Sequence, residues 1–96
     1  MSNGLLTAAK LIADQLADLE TARLRIADEA LVTLEREDPQ TASLALQTFE
    51  DQRKAADWLT HSVRSLGNLT PWRCISDGKV DKVRNILYAI KHGDFI

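Results

Sequence analysis

Few residues in this 96-residue chain have side chains suited to covalent or metal chemistry: His61, His92 and a single cysteine, Cys74. Zinc sites built on helices or turns need His-x-x-x-His or Cys-x-x-Cys spacing, because the side chains must converge within about 2.0–2.3 Å of one ion. Neither spacing occurs. Cys74 lies between Arg73 and Ile75 and reads as a small core residue, since a free cysteine is among the most buried types. His92, near a helix C-terminus, is favoured by the helix dipole when protonated and could at most act as a pH switch. The 14 acidic residues form no convergent pair for general acid–base work and read as a solvated helix face. The expectation is a protein that is not an enzyme, with no metal and no cofactor. Trp58, at helical spacing from Ala55, reads as core; Trp72, just after Pro71, is either core or a partial anchor for a partner.

Any function therefore rests on surfaces, and on the elements that position them. Hydrophobic residues make up 45% and charged residues 27%, with a net charge of −2, which suits one domain with a modest core. Aromatics at 5%, four glycines and two prolines leave few strand or turn formers, so the fold class expected is all-α. A membrane-spanning helix needs about 20 apolar residues, and the most apolar stretch, Leu5 to Ala17, is cut by Lys10 and Asp14. No span and no signal peptide are expected. One cysteine allows no internal disulfide, and a cytoplasmic location follows as the default. Residues 1–48 carry four basic and eight acidic side chains, whereas residues 49–96 carry eight and six. The first half would repel phosphate.

From Leu5 to Glu37 there is neither glycine nor proline, so one long helical register is expected. Leu5, Ala9, Ile12, Leu16, Leu19, Ile26 and Ala30 form a heptad-spaced stripe broken at Arg23 and Thr33. A second stripe, one position further round, collects Ala13, Ala17, Leu24, Ala27, Leu31 and Leu34, with Glu20 its one polar member. Some 30 residues of helix extend roughly 45 Å, beyond the diameter on the order of 32 Å of a compact chain of this length. The favoured reading is a continuous helix used in a homodimer through Leu5, Ile12, Leu16, Leu19 and Ile26. The alternative is a hairpin breaking near Glu20 to Arg25. Asp38-Pro39 then closes a dimerisation segment, 1–38, and opens a helical domain, 39–96. Its first helix should run to Thr48, burying Ala42, Leu44 or Ala45, Leu46 and Phe49. Thr48 is spaced to cap the next helix, with Asp51 in its first turn. Gly67-Asn68 marks a loop, Thr70-Pro71 starts a short helix, and Ser76-Asp77-Gly78 opens the last one. That last helix should bury Val80, Val83, Leu87 and Ile90, with Ile86 alongside.

From about Phe49 to Ile96 the sequence resembles the toxin-binding domain of the MbcA/ParS/Xre antitoxins. The resemblance is carried by an ordered series: Phe49 with Glu50-Asp51; Ala55 and the pair Trp58-Leu59; Leu66-Gly67 and Thr70-Pro71; then Gly78, Val83, Leu87, Ile90 and His92-Gly93. Two departures stand out. Asn68 replaces a common second glycine, and asparagine is the best substitute in a left-handed conformation. Thr60-His61-Ser62-Val63-Arg64 replaces a common Pro-Asn, which leaves room for the Trp58 helix to run longer.

The resemblance implies an antitoxin that binds a RES-type, NAD-consuming toxin and obstructs its cleft without doing chemistry. The surface it implies lies on the last helix and tail: Lys82, Arg84, Asn85, Tyr88, Lys91, His92, Asp94, Phe95 and Ile96. Tyr and Arg are interface-enriched types, and an apolar Phe95-Ile96 end suits a covered surface. Phe95 folding back over Gly93 as a helix cap explains the same residue equally well. Many relatives add a helix-turn-helix and repress their own operon. Here residues 1–48 have no glycine turn after Gly4 and an acidic balance, so direct DNA binding is the runner-up reading. It predicts operator retention that falls steeply with salt.

Overall fold

The computed structural model describes residues 2–93. Helix α1 spans Ser2–Glu37, α2 Pro39–Phe49, α3 Gln52–Thr60, α4 Pro71–Ser76 and α5 Val80–Lys91, with a 3-10 turn at Arg64–Leu66. The described chain is all-α; its one extended feature is a bridge between Val63 and Leu69. The long register expected from Leu5 to Glu37 is a single unbroken helix, and the hairpin alternative is not adopted. At 1.5 Å per residue its 36 residues extend about 54 Å, in keeping with a longest molecular dimension of 55 Å.

The two stripes of α1 have different fates. Ala27, Leu31 and Leu34 of the second stripe are buried with Ala42 of α2 and Ala56 and Leu59 of α3. The N-terminal part of that stripe, Ala13 and Ala17, stays exposed. A second cluster joins Leu44, Ala45, Ala55, Leu66, Cys74, Val83 and Leu87. Leu46, Trp58 and Ile75 pack against both clusters, so the core is continuous through them. Phe49 stacks obliquely on Trp58 with ring centroids 5.6 Å apart. Full burial of side chains such as Leu34, Leu59 and Leu87 contributes roughly 1.5–3 kcal/mol each. A chain of ion pairs runs along the contact between α1 and α3. Arg23 bonds Glu20 and approaches Asp57 at 3.8 Å, and Arg53 pairs with both Asp28 and Asp57. The hydrogen bond from Arg23 holds the Glu20 carboxyl below its ordinary value.

Local chemistry sets the remaining boundaries. Asp38 caps α2, with Pro39 at the first helical position. The α3 cap is Asp51, which accepts from the Lys54 N–H at 3.1 Å, and not Thr48. The Thr48 hydroxyl instead donates to the Leu44 carbonyl at 2.7 Å and reaches the Leu87 carbonyl at 3.4 Å, which ties α2 to α5. Helix α3 stops at Thr60 and does not run on. Thr60 Oγ1 turns back onto the Ala56 carbonyl, His61 is extended, and the Val63 and Leu69 backbones pair across the next loop. Gly67 and Asn68 both take the left-handed conformation, φ 70° and 64°, as the substitution of asparagine for glycine requires. The start of α5 is later than Ser76-Asp77-Gly78 suggests. Gly78, at φ 79°, closes α4, with its N–H on the Ile75 carbonyl and that of Lys79 on the Cys74 carbonyl. This is a Schellman stop, and α5 restarts after it at Val80.

Candidate functional site

Helix α5 has a sharply divided circumference. Val83 and Leu87 are fully buried, Val80, Ile86 and Ile90 half-buried, and Lys82, Asn85, Tyr88, Lys91 and His92 exposed. At 100° per residue, Arg84 and Lys91 lie on the edge facing α2, Tyr88 sits between them and further out, and Asn85 and His92 follow. Lys82 points well round from Tyr88. Half the surface of Tyr88 is open, 51%, and its ring lies parallel to that of His92, with centroids 6.3 Å apart. Asp94, Phe95 and Ile96 lie outside the described residues.

Arg84 is anchored within the chain. Its Nε donates to Thr41 Oγ1 at 2.7 Å and its Nη2 to Asp38 Oδ2 at 2.9 Å. Asp38 also accepts from the Thr41 hydroxyl at 2.6 Å and the Thr41 N–H at 3.2 Å. One carboxylate thus caps α2 and clamps α5 against it. These partners, first the Thr41 hydroxyl, then its N–H and Arg84, hold the Asp38 carboxyl below the ordinary aspartate value, while partial desolvation works in the opposite direction. Along the same seam Lys91 Nζ donates to Gln47 Oε1 at 2.9 Å. An open groove of about 590 Å³ runs between the helices, lined by Gln40, Ser43, Gln47, Tyr88 and Lys91 among others.

The α2 side of this groove was not anticipated, although a signal exists. Gln40, Ser43 and Gln47 recur at i, i+3, i+7 on the face opposite the buried Ala42 and Ala45. Asp38 and Thr41 likewise have capping spacing, but nothing local marks Arg84, more than 40 residues away, as their third partner. The framework residues fall in structural positions: Leu59, Leu66, Pro71, Val83 and Leu87 are buried, Trp58 is half-buried, and Gly67, Gly78 and Gly93 adopt positive φ. Cys74 is buried. Trp72 is half-buried beside α1, with its indole nitrogen enclosed and without an acceptor.

Among the described residues no group of three His, Cys, Asp or Glu comes together as a metal site, and no helix is long and apolar enough to cross a membrane. What the fold presents is a small helical domain in which the exposed Tyr88 and Lys91 lie along α5 beside an open groove. Residues 44–93 match the family model of the antitoxin Xre/MbcA/ParS C-terminal toxin-binding domain, a match that takes in half the chain, and the chain belongs to this antitoxin family. The match begins inside α2 and ends at Gly93, so it contains α3, α4 and α5 whole. No curated protein and no solved structure matches the chain.

Proposed function

We propose that this chain is the antitoxin of a toxin–antitoxin pair and that it inhibits a RES-type, NAD-consuming toxin by occupying its active-site cleft. The observation that carries this reading is membership of the toxin-binding family together with Tyr88, exposed and flanked by Arg84 and Lys91 at the α2–α5 groove. A half-open tyrosine beside cations is a common anchor in protein interfaces, because it contributes apolar area and a hydrogen-bonding tip at low entropic cost. Lys82, Asn85, Lys91 and His92, with the tail residues Asp94, Phe95 and Ile96, form the rest of the contact surface. Arg84 serves mainly to hold α5 in place, with its remaining donors turned to the partner. Inhibition is a binding event; the antitoxin contributes no chemistry. Helix α1 pairs two copies through Leu5, Ile12, Leu16, Leu19 and Ile26, and the complex works in the cytoplasm.

Co-expression with the neighbouring reading frame tests the reading, with growth, cellular NAD and co-purification as readouts. The full chain should restore growth and NAD and elute with its neighbour. Tyr88→Ala combined with Lys91→Glu should weaken the complex by at least tenfold without changing the helical content of the free chain. Removing the residues after Gly93 measures the contribution of the tail. A neighbour that is harmless, or one inhibited equally well by the Tyr88/Lys91 variant, would remove the basis for this surface.

A further inference from the structure

The N-terminal twenty residues of α1 stand clear of the domain. Every residue from Asn3 to Thr21 is exposed, including Leu5 at 75%, Leu16 at 60% and Leu19 at 66%. A compact monomer of 10.7 kDa exposes about 5,500 Å², whereas this chain exposes 6786 Å². The excess, roughly 1,300 Å² by that scaling, is more than the ~800 Å² each partner buries in an interface of standard size.

Resting on the dimer reading above, we infer that two copies of α1 pair antiparallel, and that the N-terminal turn of each seats in a groove beside Trp72 of the other. The argument is one of size and position. In an antiparallel pair, a-type positions of one helix face d-type positions of the other. With Leu5, Ile12, Leu19 and Ile26 at d and Ala9, Leu16, Arg23 and Ala30 at a, one register places Ala9 on Ile26, Leu16 on Leu19, Arg23 on Ile12 and Ala30 on Leu5. Each alanine then meets a large residue. A parallel in-register pair would instead stack Ala9 on Ala9 and Ala30 on Ala30, leaving two voids; Arg23, drawn to Glu20 and Asp57 of its own chain, discriminates neither arrangement.

The groove supplies a second, independent reason. Ile26, Ala30 and Thr33, at the next positions of the same stripe, form with Glu29, Thr60, Thr70 and Trp72 a depression of about 460 Å³. In the antiparallel register the helix that fills it is the other copy's N-terminal turn. Leu6, one step round from the stripe toward the face carrying Ala27 and Leu34, is 54% exposed and lands against the Trp72 wall. A parallel partner would run its own Ile26 to Thr33 segment there, and Leu6 would have no seat.

Two single-cysteine additions decide between these arrangements. Ala9→Cys and Ile26→Cys chains, one bearing a size tag, are mixed and oxidised, with sedimentation equilibrium of the unaltered chain alongside. Both positions are exposed in the free chain, and Cys74 is buried. A disulfide dimer of mixed size is expected, together with Leu6→Asp weakening dimerisation at least tenfold. A dimer in sedimentation that gives only same-size disulfide species would overturn the antiparallel arrangement while leaving the dimer intact. A monomer in sedimentation would overturn both.

Discussion

Removing the Asp38 carboxylate should destabilise the protein by about 2 kcal/mol, and the structure divides that figure into two parts. Asp38→Ala deletes the cap of α2, a loss of about 1 kcal/mol in comparable sites. It also leaves Arg84 Nη2 without its acceptor and the hydroxyl of the fully buried Thr41 without a group to donate to, while the bond from Arg84 Nε to Thr41 Oγ1 remains. A hydrogen bond to a charged group contributes about 1.5–3 kcal/mol, but the Asp38 and Arg84 side chains are 26% and 33% exposed. Solvent screening reduces that second part to about 1 kcal/mol. Asp38→Asn separates the two, because asparagine caps as well as aspartate while lacking the charge, and it should lose only about 1 kcal/mol of the total. Urea unfolding at fixed protein concentration is the assay, with Arg84→Met completing a double-mutant cycle that should return a coupling of about 1 kcal/mol. Because the folded state favours the ionised carboxylate, the stabilisation is complete above the ordinary aspartate value of about 3.9. It is lost as pH falls through the lower folded value, so the gap between the parent and Asp38→Asn closes there. The argument fails if Asp38→Ala costs less than about 0.5 kcal/mol at neutral pH, or if it and Arg84→Met are simply additive.

Three further outcomes are expected. Leu34→Ala, at a site only 1% exposed, should cost about 2–5 kcal/mol in the same urea titration. A negligible cost would mean that the C-terminal third of α1 is not part of the core. Gly67→Ala introduces no clash, since nothing lies within 4 Å of the added carbon, yet φ of 70° should still cost about 1 kcal/mol, or a fall of roughly 4–8 °C in melting temperature. Cys74, 3% exposed, should react with a thiol reagent at the rate of global unfolding, so fast labelling of the native chain would contradict its burial.

Much of this fold is written locally. The absence of glycine and proline from Leu5 to Glu37 favours one helix over a hairpin, and one helix is what forms; Asp38-Pro39 and Thr70-Pro71 fix two helix starts. Left-handed Gly67 and Asn68 bear out the loop. The misreadings share a cause. Thr48 has the spacing of a cap, but its hydroxyl is drawn to carbonyls of its own helix and of α5. The end of α3 depends on backbone pairing between Val63 and Leu69, which no local signal announces. Which residues of α5 face outward was legible, because amphipathic spacing separates the buried Val83 and Leu87 from the exposed Tyr88 and Lys91; that this face meets a toxin is implied by the family resemblance alone. The α2 wall of the candidate site, and the clamp of Asp38 and Thr41 on Arg84, depend on how two helices 40 residues apart come to lie side by side.

The two apolar stripes of α1 also carry a quantitative consequence. Helices α2 and α3, of 11 and 9 residues, are about 16 and 14 Å long, against about 54 Å for α1. Lying against its C-terminal part, they cover it from Arg23, which approaches Asp57, to the buried Leu34. Some 30 Å of helix bearing Leu5, Leu6, Leu11, Ile12, Leu16 and Leu19 is left without an internal partner, because residues 39–93 form no other element long enough to reach it. An isolated helix of that length is marginal in water and gains most of its stability by burying an apolar face. The proposed second copy supplies that face. The toxin surface proposed on α5 lies across α2 from this region, so pairing through α1 leaves Tyr88 and Lys91 open. An antiparallel dimer therefore presents two separated toxin-binding surfaces, one toward each end of the paired helices, and each can be filled without dissociating the dimer.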